Sequence, residues 1–501
     1  MYRKVHNINE IKSTTESTTE STTELTDSDD ENKEHTDNAT NANTATNANT
    51  LYKINNFITA IIPSIKTGLS NTYFISSCLA IYMKYFLIYK LSKKTKVDYN
   101  YMVKNIASRL SSKNIFFTKI FQAFSNNNNI LDKELFNYFI EYTDSVKYDP
   151  SEVDYDGLYD LINIARTNGD QLTIDSEEPI KSGNIALIYK GKLNGKSVII
   201  KYRRKNIDKK FKRSMDELFL LINISKKLPY MCDLNMSDLF EENREIMLNQ
   251  LNFNNEVLNI QLFSDKFKDM SSICIPNVYP YFTENNPCAI VMDFIHGKRI
   301  EEISDDDKDE YSRILSRFNL KCVFYDSIYH ADLHSGNVIF LKESNYENTT
   351  EVLKIGIIDY GIIGTMTRTE QNIFFTFFKI LVSKNCNELA SYIVENLSEK
   401  IEYNENILNE QDKNTLTENI SSVCNKTINI SNKMMGGEEI FLINKILKAH
   451  NMQFSKFFCR VELAIAISEN VCNSLASNSS YIEQLSLAFI ELFGNNVDDY
   501  F

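Results

Sequence analysis

Apolar and polar positions change rhythm several times along the chain. Over residues 1–50 there is no apolar periodicity: Ser13-Thr-Thr-Glu16 repeats as a tetrad three times, and Asn/Ala/Thr tracts run on to Thr50. Such a stretch cannot bury enough apolar surface to offset its ordering entropy, so a disordered tail is expected. Residues 51–170 carry a helical pattern with few Gly or Pro and read as an N-terminal helical extension. Within it, Phe74 to Tyr89 is strongly apolar and Tyr-rich but spans only 16 residues and contains Lys84. That is short of the roughly 20 apolar residues a bilayer crossing needs. The expectation is a buried or amphipathic helix, ahead of membrane-surface contact and of a true span.

Strand signals begin near Pro179. The apolar runs Ile185 to Tyr189 and Val198 to Ile200 flank Asn194-Gly195, two residues that tolerate positive φ, so a hairpin is predicted there. Cys288 to Met292 reads as a further strand. The strand-bearing region is placed at 171–296 with a helical insert, and a helical region at 297–501. Inside the latter, the Asn-rich stretch from Tyr403 to Asn432 reads as a surface loop or insertion.

Composition narrows the classes. A hydrophobic share of 43% supports a real core. The net charge is −13, and residues 1–50 alone hold ten acidic against four basic side chains. An acidic body of this kind argues against a sequence-independent nucleic-acid binder, which needs clustered cations to displace phosphate counterions. The basic run Lys201-Tyr-Arg-Arg-Lys205 through Lys212-Arg213 reads as a solvated face, with an anionic lipid or phosphate surface as the lesser alternative. Nine scattered cysteines without a Cys-x-x-Cys pair fit free thiols in a reducing intracellular compartment. The acidic N-terminus has the pattern of neither a signal nor a transit peptide.

The chemistry concentrates in His330-Ala-Asp332-Leu-His334-Ser-Gly-Asn337 and the later Ile357-Ile-Asp359-Tyr-Gly361. Phosphoryl transfer asks a protein mainly for positioning and for charge against the phosphates. Asp332 is placed to orient or deprotonate a hydroxyl or water. Asn337, five residues later, offers a neutral oxygen to magnesium, and Asp359, after an apolar strand and before glycine, a carboxylate. Together and in this order they match the kinase signature set. His330, His334 and Asp332 as a zinc cluster is the competing reading, but it leaves Gly336-Asn337 and Asp359-Tyr-Gly361 unexplained. The favoured role of the histidines is to brace the loop backbone.

Upstream, Lys201 ends an apolar strand where an ammonium can reach the α- and β-phosphates, with Glu256 as its candidate acidic partner. Ser182, Gly183 and Asn184 form a small-residue turn whose backbone could approach phosphates. Met292 and Asp293 open a hinge, Met292-Asp-Phe-Ile-His-Gly297, where backbone atoms would meet adenine.

This ordered set resembles the UbiB family of atypical kinases. The catalytic loop has the family's His-Ala-Asp-x-His-x-Gly-Asn form, Lys181 to Tyr189 is similar to its nucleotide loop, and a long insert separates Lys201 from Glu256 by 55 positions. The resemblance implies an α+β, two-lobed protein-kinase-like fold, with a small β-rich N-lobe (171–296), a helical C-lobe (297–501) and an N-terminal helical extension. It implies ATP and magnesium as cofactors and a place in lipid or isoprenoid-quinone metabolism, with membrane lipids or lipid-metabolism proteins as partners. Lys119 and Gln122, in Phe117-Thr-Lys-Ile-Phe-Gln-Ala, resemble the family's Lys-x-Gly-Gln motif that folds over the active site. Here Phe121 replaces the glycine, and Gln250-Leu-Asn252 replaces the family's Glu-x-Asp, so both carboxylates have become amides. Retained nucleotide and metal binding with altered control of access is the expectation. A pseudokinase-like scaffold and a small-molecule phosphotransferase of the aminoglycoside or choline type are the alternatives.

Overall fold

The computed structural model describes residues 70–118, 148–225, 247–344, 351–401, 409–430, 437–475 and 481–494, with single positions between them. The tail reading for residues 1–50 lies outside these residues, as do Lys119 and Gln122. Helices α1 (Ser70–Leu91) and α2 (Lys96–Lys113) open the described chain. Helix α2 starts at a capping box: Thr95 accepts from the Asp98 N–H while the Asp98 carboxylate accepts from the Thr95 N–H. Helix α1 corrects the sequence reading. It runs 22 residues where the apolar stretch has 16, because Ser70 to Tyr73 extend it before that stretch and Lys90 and Leu91 after it, and only Phe74 and Tyr85 along it are buried.

Helix α3 (Tyr155–Thr167) leads into β1 (Leu172–Ile174), β2 (Lys181–Ser182), β3 (Ala186–Leu193) and β4 (Lys196–Arg203). Strands β3 and β4 turn over Asn194 and Gly195 at φ of 52° and 82°, the left-handed pair that a two-residue hairpin requires. Helices α4 (Ile207–Ser225) and α5 (Phe253–Phe267), strand β5 (Ile273–Cys274) and helix α6 (Pro280–Asn285) follow. Strand β6 (Ala289–Asp293) then pairs with β4, giving the order β1-β3-β4-β6 with β2 on β3.

Strand alternation divides this sheet into two faces. Leu187, Tyr189, Val198, Ile200, Tyr202 and Val291 point into one core, closed by Leu158, Leu161 and Ala165 of α3 and Phe282 of α6. The register pairs Ile188 with Lys201 and Lys201 with Ile290, so the lysine lies on the opposite face with Ile199 and Met292. That face borders a cleft.

The helical lobe starts with α7 (Asp305–Phe324) and four short strands: β7 (Ile328–His330), β8 (Val338–Ser344), β9 (Glu351–Ile357) and β10 (Ile363–Thr365). Strand β7 pairs with β10, and β9 runs between β5 and β8. Helices α8 (Arg368–Ser383), α9 (Cys386–Tyr392), α10 (Glu410–Asn425), α11 (Gly437–Lys448), α12 (Lys456–Leu475) and α13 (Tyr481–Phe493) complete it. Phe324 ends α7 inside an aromatic cluster with Phe374, Phe375, Phe378, Phe489 and Phe493. Buried Gln371 donates to the last carbonyls of α7, those of Val323 and Phe324, which have no partner within the helix.

Helix α10 overturns the loop reading of 403–432. Asn409 caps it by accepting from the Asp412 N–H at 2.7 Å, and Leu416, Ile420 and Cys424 bury one narrow stripe at four-residue spacing. The cysteines in the described residues are free thiols.

The segment leaving β6 is pinned to β8 of the helical lobe, where Lys298 and Phe340 exchange backbone hydrogen bonds of 2.8 and 2.9 Å. A Cβ on the preceding Gly297 would stand 2.7 Å from the Phe340 carbonyl oxygen and 2.5 Å from the Ile339 side chain. Gly297→Ala is therefore expected to destabilise the chain by about 1–3 kcal/mol, read as a lowered urea midpoint at unchanged slope.

Candidate functional site

Lys201 projects from β4 into the cleft with its side chain 11% exposed. Its ammonium lies 2.6 and 2.8 Å from the two Glu256 carboxylate oxygens and 3.0 Å from Asp359 Oδ2. Glu256 sits in the first turn of α5, where the helix N-terminus favours negative charge, behind the cap formed by Asn252 on the Asn254 N–H. The Phe253 ring, one turn earlier, lies 5.7 Å from the ammonium. Asp359 follows β9, and its Oδ1 accepts from the Gly361 N–H at 2.9 Å.

One cation thus serves two carboxylates, and the three groups split the consequences. Burial opposes the Lys201 charge, but Asp359 and Glu256 more than offset it and hold the ammonium above its ordinary range. Burial pushes Glu256 up to about 7, against Lys201 and with the help of the Asp359 charge. Asp359 is also opposed by burial, yet Lys201 and the Gly361 N–H keep it well below the usual carboxylate range.

The catalytic-loop residues are arranged by backbone bonds. His330 Nδ1 accepts from the Asp332 N–H at 3.2 Å, so the ring proton is on Nε2, which donates to the Asp359 carbonyl at 2.6 Å. Burial lowers the pKa of His330 and keeps this tautomer neutral. His334 Nδ1 accepts from the Gly336 N–H at 3.1 Å. Both histidines therefore brace the loop, and among the described residues no group of three or more His, Cys, Asp or Glu could hold a metal ion. Asn337 donates from Nδ2 to the Asp332 carbonyl at 2.9 Å, and its Oδ1 makes no hydrogen bond among the described residues. The Ile358 N–H donates to the Asn337 carbonyl at 3.1 Å and ties the two loops together.

These side chains line one cleft of about 500 Å³ that includes Gly183, Asn184, Lys201, Glu256, Met292, Asp293, Asp332, Asn337 and Asp359. Asn184 lines the cleft, and its Oδ1 is buried without a hydrogen-bond partner among the described residues. A neutral amide oxygen beside one carboxylate suits magnesium, which binds few protein ligands and takes its other oxygens from phosphate and water.

Two readings change, and that of Asp293, which lines the cleft as a hinge residue, narrows. Ser182 does not line the cleft: its hydroxyl donates to the Val146 carbonyl at 2.6 Å and accepts from Arg204 at 2.7 Å. The Asp293 carboxylate is taken by Lys196 at 2.6 Å and Tyr279 at 2.9 Å, and its N–H by the Asn277 carbonyl. The basic run is a solvated face only in part, because Arg204 is buried and paired with Glu152 at 2.6 Å. Sequence reasoning also passed over Arg299, which lines the cleft and donates to the Gly336 carbonyl at 2.8 Å. It likewise missed Asn259, which holds the Tyr360 carbonyl at 2.9 Å. Its place three residues after Glu256, on the same helical face, was a signal that could have found it.

The Glu256 carboxyl gives a pH test. A folded value near 7 against an ordinary 4.5 means that its contribution is fully present below the lower value and is lost as pH rises through the upper one. Glu256→Gln has no such dependence. Its destabilising effect in urea unfolding is expected to be larger near pH 5 than near pH 8, by about 2 kcal/mol. The reverse order would show that the carboxylate, not the acid, is the stabilising form.

Residues 172–393 match the family model of the ABC1 atypical kinase-like domain. A probable protein kinase UbiB of Shewanella sp. (strain MR-7) is 28% identical over 238 residues, covering 45% of this chain and 42% of the relative. Its counterpart in Shewanella baltica (strain OS185) is 27% identical over 238 residues with the same coverage. The match thus takes in less than half the length of these relatives. Among solved structures, the complex of Rv3197 with erythromycin from Mycobacterium tuberculosis aligns with 64% of this chain and 78% of its own, at 16% identity and a TM-score of 0.40.

Proposed function

We propose that this chain, a relative of the UbiB atypical kinases with an ABC1-type kinase-like domain over residues 172–393, binds ATP with magnesium and transfers or hydrolyses the terminal phosphoryl group. The observation that carries the reading is Lys201 held by Glu256 and Asp359 in one cleft with Asp332 and Asn337. Bound magnesium-ATP supplies the labile phosphoanhydride and the divalent charge that neutralises it. Asp359 and Asn337 are the residues that would hold the metal. Glu256 fixes the Lys201 ammonium toward the phosphates. The Asp332 carboxylate makes no hydrogen bond among the described residues, so it is free to orient a hydroxyl or water and take its proton. The UbiB resemblance directs the acceptor toward lipid or isoprenoid-quinone metabolism.

Calorimetric titration of the full chain with ATP, with and without magnesium, alongside a phosphate-release assay, tests this. Asp332→Asn is expected to keep nucleotide affinity within about threefold and lose turnover by about a hundredfold or more. Asp359→Asn is expected to lose the magnesium-dependent part of binding. Tight binding with no turnover in the unmodified chain would make it a pseudokinase scaffold, and failure to take up nucleotide under any metal condition would sink the proposal.

A further inference from the structure

The hinge leads into a cation of the cleft that the Lys201 cluster does not use. Lys298 and Phe340 pin the chain to β8, and the next residue, Arg299, gives its N–H to the Glu302 carboxylate at 2.8 Å. The base of its side chain is thus held from both sides. Its guanidinium reaches the catalytic loop, where Nη1 donates to the Gly336 carbonyl at 2.8 Å. Among the described residues the other guanidinium N–H groups have no partner and no carboxylate forms an ion pair with them. Arg203, Arg204, Arg213 and Arg460 each meet a carboxylate instead, at 2.6 to 3.4 Å. A guanidinium tied only to a neutral carbonyl keeps its whole charge, and Arg299 is half-buried in the wall of the cleft.

Gly336 is fastened from its other side by His334, whose Nδ1 accepts the Gly336 N–H at 3.1 Å. An acceptor at Nδ1 puts the proton of a neutral imidazole on Nε2. That N–H has no partner among the described residues either, and His334 lines the same cleft. One glycine therefore anchors two donors, a charged fork and an imidazole N–H, on the helical-lobe side. Asp332, the acid of the loop, stands four residues before this glycine, and Asn337 follows it directly.

We propose that Arg299 and His334 bind a phosphate group carried by the phosphoryl acceptor, so that the second substrate of this cleft is a small molecule already bearing a phosphate. The inference rests on the reading of the cleft as a magnesium-ATP site and adds the class of the molecule that meets the nucleotide there. Phosphate charge on the nucleotide is answered by Lys201 and by the metal that Asp359 and Asn337 would hold. Arg299 is tied instead to the segment carrying Asp332, the group that orients the attacking hydroxyl. A planar carboxylate offers two oxygens, which the guanidinium fork alone would satisfy. A phosphate has a third, and the His334 N–H is a third donor in the same wall.

Calorimetric titration of inorganic phosphate into the full chain, saturated with magnesium and the β,γ-imido analogue of ATP, is the test. The analogue keeps the triphosphate position filled, so phosphate has to bind elsewhere. Phosphate is expected to bind, and Arg299→Gln to weaken it at least about tenfold while the affinity for the analogue stays within about threefold. Arg299→Lys, which restores a point charge without the fork, should recover part of the loss. His334→Asn keeps a short acceptor for the Gly336 N–H but removes the distal donor, and should weaken phosphate by about threefold or more. No phosphate binding to the saturated chain, or an at least tenfold loss of the analogue itself in Arg299→Gln, would overturn the inference. So would a lowered urea midpoint in Arg299→Gln with an unchanged phosphate titration, the mark of an arginine that only braces the loop. Should the analogue fail to bind, phosphate uptake by the nucleotide-free chain that Arg299→Gln removes would support the anion site and count only against the magnesium-ATP reading.

Discussion

A buried ammonium shared between two carboxylates is the constraint around which the cleft is organised. Lys201 comes from the sheet, Glu256 from the helix behind it and Asp359 from the strand end of the other lobe, so one polar triad stitches three elements that hydrophobic packing alone would leave free to slide. A buried charge left without its partner costs about 3–5 kcal/mol, which fixes the relative placement of these elements. The imbalance of one cation against two anions falls on Glu256, the more enclosed carboxyl, whereas Asp359 stays ionised with its side chain 36% exposed to the cleft. A site built this way keeps its ionised carboxylate, Asp359, at the mouth of the cleft.

The rest of the cleft follows from strand geometry and from loops held by their own backbone. Alternation along β4 sends Val198, Ile200 and Tyr202 into one core and Lys201 out of it, so the position of the lysine is a by-product of packing the other face. The catalytic loop is kept in shape by His330, which joins the Asp332 N–H to the Asp359 carbonyl and so couples the two chemical segments without facing the cleft itself.

Much of this was legible in the residues. Asn194-Gly195 announced its hairpin because few residues other than Asn and Gly accept consecutive positive φ. The Lys201–Glu256 pairing could be read because residue types and chain order together leave few alternatives. What was hidden had physical reasons. Helix α10 escaped notice because three buried apolar side chains suffice to seat a helix whose other positions are mostly polar, so composition masked periodicity. The full length of α1 was missed because a helix continues through polar residues once nucleated. Ser182 was assigned to the cleft from its neighbours in sequence, but a hydroxyl next to a buried guanidinium is claimed by it.

That guanidinium has a consequence of its own. Arg204 donates to Glu152 ahead of α3, to the Val146 carbonyl and to the Ser182 hydroxyl in the turn above the cleft. The Val146 N–H is also paired with the Ser182 carbonyl at 2.8 Å. The segment before the sheet and the turn over the cleft therefore share one fastening and have a common free energy of opening. Local fluctuation of either is suppressed until both let go, so amide exchange at Val146 and around Ser182 should proceed in step, as a single cooperative patch rather than as two independent loops.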